Sequence, residues 1–119
     1  MTQGLQILAD FKNCNCPTSY FLNLKILKKE AENIIKKSGF KIIKSCSHKF
    51  GNGGVSLVFL VSESHVAVHT WPENNSLNID IFFCNYTKDN SKKGEKAFKM
   101  FCDLYKPKKI IKKNIKRYY

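Results

Sequence analysis

Four stretches rich in β-branched and aromatic residues follow one another between Lys41 and Phe83, joined by connections too short to leave a sheet and re-enter it. They run Lys41 to Phe50, Val55 to Val61, Val66 to Trp71 and Leu77 to Phe83, and their composition is that of strands. A parallel crossover needs about a dozen residues or more. The connectors here are Gly51-Asn52-Gly53-Gly54, Ser62-Glu63-Ser64-His65 and Pro72 to Ser76. The four strands therefore pair antiparallel. In the last of them, Leu77, Ile79, Ile81 and Phe83 alternate with Asn78, Asp80, Phe82 and Cys84, the pattern of a half-buried strand.

Helical periodicity flanks this block. Leu24, Leu27, Ala31, Ile34 and Ile35 recur at helical spacing with charged residues between them, and Gly39 follows as a stop. Ala97, Phe98, Phe101, Leu104 and Tyr105 predict a second amphipathic helix, ended by Pro107. Leu5 to Phe11 reads as a strand, Cys14 to Ser19 with Pro17 as a loop, and Ile110-Ile111 as the start of a last strand. The expected architecture is α+β, a two-layer sandwich with a mainly antiparallel sheet and helices on one face. Residues 1–119 form a single domain, with 106–119 as a basic C-terminal tail.

The formal charge is +12, and lysine supplies nearly all of it, Arg117 being the only arginine. Much of the excess lies between Lys106 and Lys116. Such a surface could track phosphates, but the aromatic and arginine pattern of a nucleic-acid module is missing. A solvated lysine-rich surface is the preferred reading, and nucleic acid is not expected as a partner. The sequence has no apolar run of about 20 residues to span a bilayer and no signal-peptide pattern, so a cytoplasmic, membrane-free protein is expected. Its five cysteines (14, 16, 46, 84 and 102) are then thiols. Cys14 and Cys16 with Cys46 and His48 are a poor match to the C-x-x-C spacing of structural zinc, and no metal site is expected.

Glu63-Ser64-His65, then His69-Thr70-Trp71-Pro72-Glu73, then Phe83-Cys84 closely resemble the prokaryotic S-adenosylmethionine decarboxylases. Ser47-His48-Lys49-Phe50 and Gly54-Val55-Ser56 upstream also fit. The resemblance is densest from His48 to Asn85, and the flanking helices fit the family's order. Taken singly, a hairpin serine, a strand histidine or a cysteine at a strand end is a structural residue; the joint spacing is what overturns that reading.

The chemistry can also be argued from the residues. Decarboxylating an α-amino acid needs an electron sink, usually a Schiff base to a carbonyl cofactor. A chain this short with no evident pyridoxal phosphate site can make that carbonyl from its own backbone. The Ser64 hydroxyl attacks the preceding carbonyl and converts the Glu63–Ser64 amide to an ester. Loss of the Ser64 α-proton expels Glu63 as a carboxylate, and the remaining dehydroalanine hydrolyses to a pyruvoyl group with release of ammonia. The products are chains of residues 1–63 and 64–119.

The resemblance assigns helpers. His69 is the processing base, a task suited to an imidazole, and Ser56 polarises the carbonyl under attack. Cys84 is the proton donor after carbon dioxide leaves, a thiol being mostly protonated at neutral pH with its ordinary pKa of roughly 8.5. Phe50 and Trp71 hold the adenine and the sulfonium, and Glu73 accepts hydrogen bonds from the ribose. His65 and His48 are read as structural. The resemblance also implies a homodimer of cleaved protomers with active sites near the interface, acting on S-adenosylmethionine to supply the aminopropyl donor of polyamine synthesis.

The chain departs from the family pattern at Asn74-Asn75-Ser76, where Tyr-Gly-Tyr is common, at Asn85 in place of glycine, and at Leu5-Gln6-Ile7 in place of Gly-Arg-His. These touch the substrate's surroundings and remove no proposed catalytic group. The same machinery acting on arginine or ornithine is the nearest alternative, although retention of Trp71 with Glu73 favours the nucleoside. A basic nucleic-acid-binding module, or an unprocessed relative with a scaffolding role, are the alternatives of other classes.

Overall fold

The computed structural model describes residues 3–85 and 89–119. Strand β1 (Gln3–Cys14) leads into the short helix α1 (Ser19–Leu22) and helix α2 (Leu24–Lys37). Strands β2 (Ile42–Lys49), β3 (Val55–Val61), β4 (Ser64–Trp71) and β5 (Ser76–Cys84) follow, with a 3-10 turn over Pro72–Asn74. Helix α3 (Ser91–Tyr105) and strand β6 (Pro107–Tyr118) complete the chain. The six strands form one sheet in the order β2-β3-β4-β5-β1-β6, with every pairing antiparallel. The expected meander is present, and β1 extends it at the β5 edge.

Helix α2 starts where Asn23 accepts a hydrogen bond from the Ile26 N–H at 3.1 Å, satisfying an otherwise orphaned donor of the first turn. It stops before Gly39, whose φ of +103° is readily reached only by glycine. Its buried residues are Leu27, Ala31, Ile34 and Ile35; those of α3 are Gly94, Ala97, Phe101 and Tyr105. Both stripes pack on the sheet face that carries Leu57, Phe59, Val66, Val68, Leu77, Ile79 and Phe83, all buried. Val58 and Leu60, the alternate residues of β3, are 43% and 50% exposed. One face of the sheet is thus covered by helices, and the other carries exposed apolar side chains.

Gly94 is held in the first turn of α3 because a Cβ there would be driven into the Phe83 ring. Gly94→Ala is expected to cost about 1–3 kcal/mol of packing strain, against about 1 kcal/mol regained in helix propensity. The urea midpoint should fall at unchanged m; a midpoint at or above that of the parent would contradict the contact.

Strand β1 runs past both ends of the expected Leu5 to Phe11, helix α1 starts within the expected loop, and two further differences have a clear physical reason. Strand β4 begins at Ser64 rather than Val66, because Ser64 and His65 pair with Val61 and Leu60 through their backbones, whatever their side chains. The stretch read as a basic tail is largely strand β6, paired with β1 from Cys14↔Pro107 to Gln3↔Tyr118. An edge strand exposed on both faces needs no apolar alternation, so its pattern is faint. Lysines along such an edge also discourage pairing with another chain. Lys112 is drawn onto α3, 3.3 Å from the Glu95 carboxylate and 4.2 Å from the Phe98 ring centroid. Among the described residues, no helix is long and apolar enough to cross a membrane.

Candidate active site

The hairpin between β3 and β4 closes on the pair Val61↔Ser64, leaving only Ser62 and Glu63 in the turn. Glu63 has φ of +61°, the left-handed region, which costs a residue with a Cβ roughly 1–2 kcal/mol. Its carbonyl oxygen, part of the Glu63–Ser64 peptide, accepts a hydrogen bond from the Cys84 N–H at 3.0 Å. Ser64 is 7% exposed, and its Oγ has no hydrogen-bond partner among the described residues. A strained peptide, a polarised carbonyl and an uncommitted hydroxyl therefore meet at one bond.

Cys84 ends β5 next to Phe83, the register partner of Ser64. Ser64, Cys84, Phe82, Leu60 and Tyr119 line a cavity of about 530 Å³. Burial pushes the Cys84 thiol up from its ordinary value, and the Glu63 carboxylate pushes it further, while Arg117 opposes the rise. The thiol thus stays protonated at neutral pH.

A second group lies toward the other end of the hairpin. Residues directly opposite in antiparallel strands share a face, so the pairings His48↔Ser56, Ser56↔His69, His69↔Asn78 and Asn78↔Asp10 lay a polar row across the uncovered face. Ser56 Oγ is 2.7 Å from His69 Nδ1. The Trp71 Nε1–H donates to Asn78 Oδ1 at 2.7 Å, and Asn78 Nδ2 donates to Asp10 Oδ1 at 2.7 Å, so the indole is held although 45% exposed. Phe50, 49% exposed, packs edge-on to His48 with ring centroids 4.6 Å apart. Phe50, Ser56, His69 and Trp71 line a cavity of about 490 Å³. Glu73 sits exposed on the 3-10 turn that follows Trp71.

Within one chain, then, Glu63, Ser64 and Cys84 are brought together, and Phe50, Ser56, His69 and Trp71 are brought together, but the two groups are apart. Ser64 and His69 stand at positions five residues apart on β4, on the order of 16 Å at ~3.3 Å per residue. Sequence reasoning missed Asn78 and Asp10 behind Trp71, which only cross-strand register reveals. It also missed Asn90, whose side chain reaches Glu63; an asparagine before a helix reads as an ordinary cap. Among the described residues, no three His, Cys, Asp or Glu side chains are grouped to hold a metal ion.

Comparison with known proteins bears on this arrangement. Residues 5–118 match the S-adenosylmethionine decarboxylase family. An S-adenosylmethionine decarboxylase proenzyme of Archaeoglobus fulgidus is 37% identical over 83 residues, 70% of this chain and 70% of that protein. One of Moorella thermoacetica is 39% identical over 84 residues, 68% of this chain and 63% of that protein. The crystal structure of the adenosylmethionine decarboxylase from Aquifex aeolicus superimposes with a TM-score of 0.87 at 25% identity, covering 99% of this chain and 92% of that one. A match along nearly the whole chain, with a shared fold, is decisive: the chain belongs to the S-adenosylmethionine decarboxylase family.

Proposed function

We propose that this chain cuts its own Glu63–Ser64 bond, converts Ser64 to a pyruvoyl group, and decarboxylates S-adenosylmethionine to supply the aminopropyl donor of polyamine synthesis in the cytoplasm. The observation that carries the reading is the Glu63–Ser64 turn. Its left-handed Glu63 raises the energy of the intact peptide, and the Cys84 N–H on the Glu63 carbonyl faces the oxygen that gains charge as Ser64 Oγ attacks. A fixed donor at a developing oxyanion is the strongest single device for acyl transfer. Ser64 Oγ gives up no hydrogen bond to the described residues when it attacks.

His69 takes the Ser64 α-proton from the ester, and the bond to Glu63 breaks to leave a carboxylate. Hydrolysis of the resulting dehydroalanine releases ammonia. For this task His69 carries its proton on Nδ1, donated to Ser56 Oγ, so that Nε2 presents the lone pair. The distance along β4 keeps His69 from Ser64 of its own chain, so the base and Ser56 come from a second copy. The uncovered sheet face, with Val58 and Leu60 exposed, is the surface for such a copy, and the family resemblance implies the same homodimer.

The pyruvoyl carbonyl supplies the electron sink that an α-amino acid needs to lose carbon dioxide. The residues present fit its formation, Ser64 being buried against Cys84 rather than open to bulk water. Trp71, fixed by Asn78, and Phe50 offer two faces for adenine and the sulfonium charge, with Glu73 beyond Trp71 for the ribose. An indole so held has no task with arginine or ornithine, which favours the nucleoside substrate. Cys84 Sγ–H is the proton donor at the substrate α-carbon.

The test of the whole reading is a denaturing intact-mass spectrum of purified protein. Fragments of residues 1–63 and 64–119, the second bearing pyruvoyl in place of serine, are expected; a chain whole after prolonged incubation would end it. Cys84 has its own test, because a raised thiol pKa delays the thiolate to higher pH. Site-resolved alkylation of Cys84 in the uncut Ser64→Ala chain should reach half its maximal rate above pH 9.0. A midpoint below neutral pH would leave Cys84 as thiolate under working conditions and remove it as the proton donor.

A further inference from the structure

Asn90 occupies the N-cap position of α3, yet its side chain makes no capping hydrogen bond to the helix. The residue is 2% exposed. Its Nδ2 donates to the Cys84 carbonyl at 2.8 Å and to Glu63 Oε2 at 3.3 Å, while its backbone N–H donates to Asn85 Oδ1 at 2.7 Å. Both neighbours of the amide are acceptors, so the NH2 group must face them. Its Oδ1 is then left buried without a hydrogen-bond partner among the described residues. An asparagine that forgoes its cap and strands a buried carbonyl is placed for something other than the stability of its helix.

What it joins is specific. Glu63 is the residue on the N-terminal side of the scissile bond, and its carbonyl is polarised by the Cys84 N–H. Cys84 is the residue whose carbonyl Asn90 grips. One amide therefore ties the side chain of the strained residue to the backbone of the residue that stabilises the oxyanion. We propose that Asn90 is a positioning residue for self-cleavage: it holds Glu63 in its left-handed conformation and keeps the Cys84 N–H aimed at the Glu63 carbonyl. It touches neither the hydroxyl that attacks nor the proton that is removed, and it acts through Glu63 and Cys84. The inference rests on the self-cleavage reading.

The experiment follows cleavage by intact mass from the moment of cell-free synthesis, in wild type, Asn90→Ala, Glu63→Ala and the double variant, with circular dichroism as a check of folding. Asn90→Ala should lengthen the half-time of cleavage by about tenfold or more. Because the effect passes through Glu63, the double variant should be slowed by less than the product of the single effects. Asn90→Asp keeps the size of the side chain while setting a carboxylate against two acceptors. It should cleave slowly at neutral pH and gain on the wild type as the pH falls into the carboxylate range. If Asn90→Ala does not fold, this relative gain decides the matter. Wild-type cleavage matched by a folded Asn90→Ala, fully multiplicative effects, or an Asn90→Asp pH profile parallel to that of wild type would each overturn the assignment. A wild-type chain that stays whole would overturn the self-cleavage reading, and this assignment with it.

Discussion

Replacing Ser64 by alanine is expected to leave a single uncut 13.7 kDa chain under conditions in which the parent is fully divided. The hydroxyl is the only group removed, and it is the nucleophile of the proposed acyl shift; Ser64 is the residue that would become the pyruvoyl group. The substitution is clean because Ser64 Oγ has no hydrogen-bond partner among the described residues. Removing an unpaired buried hydroxyl forfeits no bond and relieves the desolvation of a polar group, which ranges over about 1–3 kcal/mol. The variant should therefore melt no lower than any other uncut form of the chain. An intact-mass spectrum separates the outcomes: fragments in Ser64→Ala would exclude serine chemistry, and a whole chain with a lowered melting point would contradict the unpaired environment of the hydroxyl.

Mixing two dead variants should revive cleavage. His69→Ala alone should process at least 100-fold more slowly, on the order expected for loss of a general base, or stall at the ester. Ser64→Ala retains His69 but cannot be cut. If each site combines Ser64 of one copy with His69 of another, a mixed dimer holds one complete site, in which the His69→Ala chain is the one divided. Equal amounts refolded together should give cleavage of about half of the His69→Ala chains, the share that random pairing places in mixed dimers. The spacing along β4 is the reason for this expectation, because one chain cannot close a gap on the order of 16 Å by side-chain motion. Refolded dimers in which neither chain is cut would remove His69 as a base supplied by the second copy.

Much of the fold was legible because periodicity reports burial directly. Leu27, Ala31, Ile34 and Ile35 form one helical stripe and are buried together, and Leu77, Ile79, Ile81 and Phe83 all face the core of β5. Strand β6 was under-read for the converse reason: almost every residue in it is exposed, so burial imposes no pattern and its pairing is main-chain. The start of β4 was obscured by its chemistry, since Ser64 and His65 look like turn residues while their backbones pair as strand.

For the candidate site, the sequence by itself determined which chemical groups are available and in what order: Glu63 before Ser64, His69, Trp71 and Glu73 in one run, and Cys84 at the end of a strand. Those are covalent facts, and the family resemblance is carried by them. Only the tertiary structure decided which groups meet. Antiparallel register set Ser56 against His69 and Asn78 against Asp10, the β5 end brought the Cys84 N–H to the Glu63 carbonyl, and the start of α3 delivered Asn90 to both. It also separated His69 from Ser64, because along a strand sequence neighbours move apart by ~3.3 Å per residue while contact is made across strands. Proximity in this fold is a property of pairing, and pairing is written in the whole chain rather than in any motif.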